Sequence, residues 1–207
     1  MLIKNENLRI KDPNFFTVDA VELAQKLLGK ILVRNINDKL IKVKIVETEA
    51  YNGKIDRACH AHQENKSKWK SSALYNRGGC AYVYLIYNAY YCFNIASSVK
   101  DDPQGVLIRA AEPLESHTIP VSSHQNEKKK IYYHTNGPGK LCRVLDIDIK
   151  LNNADLITSD LIYLEHGSEL SQDEIIATKR INIDYAGNDK DRLWRFYIKD
   201  NDFVSRK

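Results

Sequence analysis

Residues 43–51, VKIVETEAY, end an apolar alternation in two carboxylates and a phenol. A strand's side-chain period of two puts Val43, Ile45, Glu47, Glu49 and Tyr51 on one face. Such carboxylates read in two ways. At an exposed strand end they form surface salt bridges; at the mouth of a pocket, desolvation tunes one of them as a general base. An acid/base pair made of Glu47 and Glu49 is disfavoured by direction. Their Cα atoms stand ~7 Å apart and point the same way, whereas paired carboxylates flank a scissile bond from opposite sides. One is expected to act and the other to hold structure.

The stretch AYVYLIYNAYYCFN at 81–94 holds five of the chain's 12 tyrosines. Strand periodicity places Tyr82, Tyr84 and Ile86 on one face, with Val83 and Leu85 on the other. After a turn, Tyr91, Phe93 and Ile95 alternate with Tyr90, Cys92 and Asn94. Tyr87-Asn88 is the best turn, because asparagine tolerates the left-handed backbone of a tight hairpin. Tyr87 then stands at a protruding tip with little to pack against. An aromatic cross-strand ladder explains the tyrosines as packing. A surface that stacks bases and wedges into a duplex explains them as function.

Other motifs point away from cofactors. Cys59-His60-Ala61-His62 holds three metal-ligand types, but ligands so close on one segment rarely converge, so no metal is expected and His62 reads as a surface residue. GPGK at 137–140 lacks the GxxxxGK[ST] spacing of a nucleotide-binding loop, which argues against a nucleotide cofactor. EKKK at 127–130 reads as a solvated run that adds non-specific phosphate attraction.

The elements that must position these residues are legible in outline. Asp19 and Glu22 signal a helix start, Ala20, Leu23, Ala24, Leu27 and Leu28 share one face, and Gly29 stops it. KILVRNI and KLIKVKIVETEAY read as strands joined by an Asn37-Asp38 turn. The opening stretch is expected to supply another strand pair. GVLIRAAEP, DLIYLEHG, ATKRINI and WRFYI read as strands, and KLCRVLDI as a short helix. Residues 115–140 are polar and read as a surface excursion. Runs of strands with few helices between them predict an α+β fold: one domain over 1–207, a curved, largely antiparallel sheet with flanking helices and a protruding hairpin. With 43% hydrophobic and 28% charged residues the chain is globular, and a formal charge of +4 permits a polyanionic partner without requiring one. Four unpatterned cysteines suggest reduced thiols, and the sequence shows neither a signal peptide nor a membrane span, so a cytoplasmic location is expected.

IVETEAY, ACHAH, AYVYLIYNAYYCFNI, GVLIRAAEP, GPGKLCRVLDI and RINIDYAG…WRFYI follow one another as in the alkyladenine (3-methyladenine) DNA glycosylases, and the resemblance spans most of the chain. It implies that Glu49 is the base that activates water, that Arg109 helps to hold that water, and that Ile183 turns a backbone carbonyl toward it. Tyr51, His60 and Tyr84 match residues that stack on the base. Asn94 matches the asparagine that discriminates among purines. Tyr87 matches the hairpin residue that fills the gap left by a flipped nucleotide, with Asn88, Ala89 and Tyr90 beside it, and Lys140 matches a DNA-contacting loop.

The implied activity is hydrolysis of damaged purines from double-stranded DNA by a monomer, leaving an abasic site, at the nucleoid if the source is bacterial. A damage-binding protein of the same fold with little turnover is the alternative. The chain departs from the family pattern at Asn88 and Ala89, where glycine and often methionine follow the tip tyrosine. It departs also across Lys68, Lys70 and Ser71, where a Thr-x-Arg-Asn element is usual, and at Asn182, where glycine is usual.

Overall fold

The computed structural model describes residues 8–65, 72–114 and 134–207. An eight-stranded sheet organises them: β1 Ile31–Ile36, β2 Lys39–Asn52, β3 Ala81–Ile86, β4 Tyr90–Ala96, β5 Gln104–Pro113, β6 Ile162–Glu165, β7 Ile175–Thr178 and β8 Arg195–Ile198. The order is β3-β4-β5-β2-β1-β6, with β8 pairing to β2 and β7 to β8. Every pairing between these strands is antiparallel. Helices α1 Ala20–Leu27 and α2 Pro138–Val144 pack against it, giving the expected curled antiparallel sheet of an α+β fold.

The local signals act as their chemistry dictates. The Asp19 carboxylate caps α1 by accepting from the backbone N–H groups of Val21 and Glu22 at 2.8 and 3.1 Å. Glu22 does not reciprocate; it pairs with Lys26 one turn on. Gly29 ends the helix at φ 80°, where a Cβ would lie 2.5 Å from the Ser168 carbonyl oxygen. Asn37 and Asp38 turn the β1–β2 hairpin at φ 48° and 63°. Ala20, Leu23, Ala24 and Leu27 join Val83, Phe93, Ile95, Val106 and Ile108 in the principal core.

The central strand corrects the simple alternation. Between β2 and β5 the register shifts twice, so that Val46 on β2 and Arg109 on β5 have no direct partner in that ladder. Each strand thereby carries one extra residue, as in a β-bulge. Val43, Ile45 and Ala50 lie in the principal core, and Thr48 donates to the Ala24 carbonyl of α1 at 2.9 Å. Glu47 and Glu49 therefore face the other side from Val43 and Ile45, because the bulge reverses the parity between Ile45 and Thr48.

Three further expectations need correction. Among the described residues the opening stretch forms no strand pair: a 3-10 turn occupies Pro13–Phe15, and Arg9 makes only an isolated bridge to Glu165. ATKRINI is strand only at its start, since β7 ends at Thr178 and Asn182 takes φ 59°. Leu85, which shares a strand face with Val83 and is expected to anchor the sheet with it, is instead exposed near the hairpin tip. The EKKK run and Lys68, Lys70 and Ser71 lie outside the described residues.

Candidate active site

The side of the sheet away from α1 carries one row of direct neighbours. Tyr82 on β3 pairs with Asn94 on β4, Asn94 with Leu107 on β5, Leu107 with Glu49 on β2, and Glu49 with Arg195 on β8. Tyr84 pairs with Cys92 one step toward the hairpin tip. Above this row lies a cavity of about 530 Å³. Glu49, Tyr51, His60, Tyr84, Tyr87, Tyr90, Asn94, Arg109, Lys140 and Ile183 all line it, although they span the sequence from β2 to the region after β7. Asn88 and Ala89 complete the hairpin tip without lining the cavity.

Glu49 is fully buried and held by two hydrogen-bond donors and an ion pair. The Tyr51 hydroxyl donates to its Oε2 at 2.6 Å, the Ile181 N–H donates to Oε1 at 2.8 Å, and Arg109 Nη1 lies 3.3 Å from Oε1. A carboxylate offers about four acceptor positions, two on each oxygen. Each oxygen therefore accepts one hydrogen bond, with the Arg109 charge beside Oε1, and Oε2 keeps one acceptor position unfilled in a residue that lines the cavity. Burial and the Glu49 charge both drive the Tyr51 phenol well above its ordinary pKa, so it stays a proton donor.

Glu47 is fully buried as well, but it does not line the cavity. Its Oε1 accepts from Arg109 Nε at 3.0 Å and Arg195 Nη1 at 2.9 Å, and its Oε2 accepts from the Ser205 N–H at 2.7 Å. Burial opposes the charge on Arg109, but Glu49 and Glu47 outweigh it and raise that guanidinium's pKa. A third buried pair completes the cluster. Arg180 binds Asp56 in a fork, Nη1 to Oδ2 at 2.5 Å and Nη2 to Oδ1 at 2.8 Å, and also donates to the Ala50 carbonyl. Its guanidinium lies 4.8 Å over the Tyr51 ring and 5.3 Å over Trp194. Three arginines thus balance three carboxylates, all of them buried.

The aromatic wall is built across strands. His60 Nδ1 lies 3.0 Å from the Tyr82 hydroxyl, and its ring meets Tyr84 edge-on at 4.6 Å between centroids. Burial, with a hydrogen bond to Cys92, raises the Tyr84 phenol well above its ordinary pKa. Asn94 donates through Nδ2 to the Tyr82 carbonyl at 3.1 Å. His62 is not a surface residue: it is buried, and its Nδ1 accepts from the Glu64 N–H at 3.3 Å. Among the described residues no group of three or more His, Cys, Asp or Glu side chains could hold a metal ion.

At the hairpin tip Tyr87 and Asn88 take φ 52° and 51°, and the Tyr87 side chain is 76% exposed. The two asparagines that replace the family's usual glycines, Asn88 and Asn182, are both left-handed. Asparagine is among the non-glycine side chains that tolerate that region best, so it suits both positions. The GPGK loop is tied to β5 by the bridge between Asn136 and Ala110, one residue beyond Arg109.

Leu107, Cys92, Ile181, Tyr185, Arg143 and the Arg180–Asp56 pair belong to this region but were not read from the sequence. Ile181 acts through its backbone, and Arg180 reaches a partner 124 residues away, so neither leaves a local pattern. Leu107 could have been found, since it shares a strand face with Arg109.

Comparisons with known proteins agree with this geometry. The family model for methylpurine-DNA glycosylase (MPG) matches residues 14–202. A relative from Natranaerobius thermophilus is 47% identical over 194 residues, covering 94% of this chain and 98% of its own. One from Clostridium perfringens strain 13 is 46% identical over 203 residues, covering 94% and 98%. One from Borrelia garinii is 45% identical over 197 residues, covering 95% and 100%. All three carry names that assign them as 3-methyladenine DNA glycosylases. With a matching family model over nearly its whole length and such relatives, this chain belongs to the methylpurine-DNA glycosylase family and is a DNA glycosylase.

Proposed function

We propose that the protein flips alkylated or deaminated purines (the 3-methyladenine, 7-methylguanine and hypoxanthine class) out of duplex DNA and hydrolyses the N-glycosidic bond with a water activated by Glu49. The observation that carries this reading is the half-occupied Glu49 Oε2 at the wall of an aromatic cavity. A water bound there gives its proton to Glu49 while its oxygen attacks the sugar carbon and the purine leaves. Arg109 fixes the carboxylate and steadies that water, with the Ile183 carbonyl on its other side.

A base inside a duplex is out of reach of such a site, and flipping costs on the order of a few kcal/mol. Tyr87, exposed at the tip, fills the gap in the stack. Tyr51, Tyr84 and His60 sandwich the flipped base. Purines alkylated at N3 or N7 are cationic, so each ring face attracts them by roughly 0.5–2 kcal/mol. They are also good leaving groups, and one general base contributing ~10²–10⁴-fold then suffices. Asn94 reads the purine edge, while Asn88, Ala89, Tyr90 and Lys140 grip the duplex. No lysine nucleophile, metal or nucleotide cofactor enters the reaction, so the product is an abasic site in an intact strand. The protein acts as a monomer in the cytoplasm, at the nucleoid if its source is bacterial.

Incubation with duplexes containing methylated purines or hypoxanthine tests the proposal by the free base released. Release without strand scission is expected. Tight binding with no release under excess enzyme would instead identify a damage-binding protein.

A further inference from the structure

Arg143 lines the cavity at its mouth but has no part in the chemistry above. It sits in the last turn of α2, one turn beyond Lys140, and both side chains face the cavity. Its guanidinium carbon lies 5.6 Å from the centroid of the Tyr90 ring. Tyr90 is itself pinned from behind. A Cβ on Gly139 would come within 3.0–3.1 Å of three Tyr90 side-chain atoms, so glycine at this position lets the loop pack tightly against the ring. The arginine is therefore exposed yet seated.

No carboxylate pairs with Arg143 among the described residues, unlike Arg109, Arg180 and Arg195. A guanidinium over an aromatic face spends its π-surface on the ring and keeps its planar fork of N–H donors free for an oxyanion. A basic residue at a helix C-terminus also answers the helix dipole. The dipole accounts for a cation, but it does not account for an aromatic ring packed against the loop and placed under the guanidinium at the cavity.

We propose that Arg143, seated on Tyr90, clamps one backbone phosphate of the damaged strand beside the flipped nucleotide. Lys140 acts as a second, looser cation, since among the described residues its Nζ is held only by Asn136 Oδ1 at 2.9 Å on the exposed side. The clamp makes the loop, α2 and the hairpin one surface, with Tyr90 joining the wedge strand to the phosphate grip. The phosphate's place beside the flipped nucleotide rests on the flipping mechanism proposed above.

The test is a single-phosphate scan. In a duplex carrying a tetrahydrofuran abasic analogue, each phosphate within three nucleotides of the lesion is replaced in turn by a neutral methylphosphonate. One position is expected at which wild-type affinity falls on the order of tenfold, as for loss of one charge-assisted hydrogen bond. Arg143→Gln should show little further loss there while behaving as wild type at the other positions. Its plot of log K against log salt should also be shallower by about 0.9, the value of one phosphate contact.

Parallel losses for the two proteins at every position, with superimposed salt slopes, would overturn the clamp. If Arg143→Gln fails to fold, Tyr90→Leu carries the same scan and should weaken the coupling at the same phosphate. Wild-type base release, and the fluorescence rise of 2-aminopurine at the flipped position, test flipping separately. Their loss would sink the flipping mechanism, whereas a failed scan with both intact sinks only the clamp.

Discussion

Asn94 and Glu49 stand in one row across the sheet, separated by a single residue, Leu107. At the ~4.8 Å spacing of adjacent strands they lie roughly 10 Å apart along the hydrogen-bonding direction. That span suits a purine lying over Leu107, with one end against the asparagine and its glycosidic bond near the carboxylate. Leu107→Phe should raise this floor and displace the base. A shift of about 1 Å can cost on the order of 10²-fold in rate. Single-turnover excision should fall on that scale while affinity for undamaged duplex stays within twofold. Unchanged excision would mean that the purine does not lie over Leu107.

The two carboxylates of ETEAY should separate cleanly by readout. Glu49→Gln keeps an acceptor oxygen for the Ile181 N–H and can donate from its amide to the Tyr51 oxygen, but it cannot take a proton, so excision should drop ~10²–10⁴-fold. Binding to an abasic-analogue duplex should persist. Glu47→Ala removes the partner of two buried arginines and the acceptor of the Ser205 N–H. Breaking such a pair costs ~3–5 kcal/mol, and urea denaturation should show it. A Glu49→Gln protein with full excision would move the role of base elsewhere.

Arg180 should prove to be a positioning residue for Tyr51 and, through its neighbour Ile181, for Glu49. Arg180→Leu leaves Asp56 buried and unpaired, which should cost ~3–5 kcal/mol of stability. The double variant Arg180→Leu/Asp56→Leu should recover much of that stability, because the uncompensated charge is gone. Excision should remain low in the double variant, since Tyr51 has lost the plane beneath its ring. Excision that returned together with stability would show a purely structural pair.

Tyr87 should be dispensable for folding. It is exposed at a left-handed tip position, and surface substitutions away from special contacts usually change stability by within ~0.5 kcal/mol. Tyr87→Ser should therefore melt like wild type while binding damaged duplex much more weakly. Equal losses in both measurements would return the residue to the role of packing.

The sequence patterns that proved readable are those in which a residue's neighbours along the chain set its environment. The Asp19 cap, the Gly29 stop, the Asn37-Asp38 turn and the Tyr87-Asn88 tip all follow from short-range stereochemistry. Alternation failed at Ile45–Thr48 because a bulge is a property of two strands together: Val46 is extra only relative to β5. The hairpin faces were legible as far as Tyr84, but Leu85 next to the tip has no layer above it and stays exposed. Resemblance brought Glu49, Arg109 and Asn94 together before any geometry did. The Arg180–Asp56 and Arg195–Glu47 pairs span 124 and 148 residues and leave no periodic trace.

Stability should fall in alkali earlier than the ordinary tyrosine range. Burial raises the Cys59 thiol to about 12 and the Cys92 thiol to about 11, and pushes up the Tyr51, Tyr82 and Tyr84 phenols. An unfolded thiol ionises near pH ~8.5 and an unfolded phenol near ~10. Below those values both states hold their protons, and the contribution is complete. Above them the unfolded chain holds fewer protons than the folded one, so unfolding becomes easier as pH rises. The loss should begin near pH ~9, steepen beyond ~10 as the phenols join, and for the two thiols level off only above their folded values. Urea midpoints at pH 8, 9.5 and 10.5 should descend in that order. Cys59→Ala/Cys92→Ala should start lower at pH 8 yet decline less between pH 8 and 9.5, before phenols contribute. A midpoint that stayed flat to pH 10.5 would mean that these groups titrate alike in both states and that the cavity wall is wet.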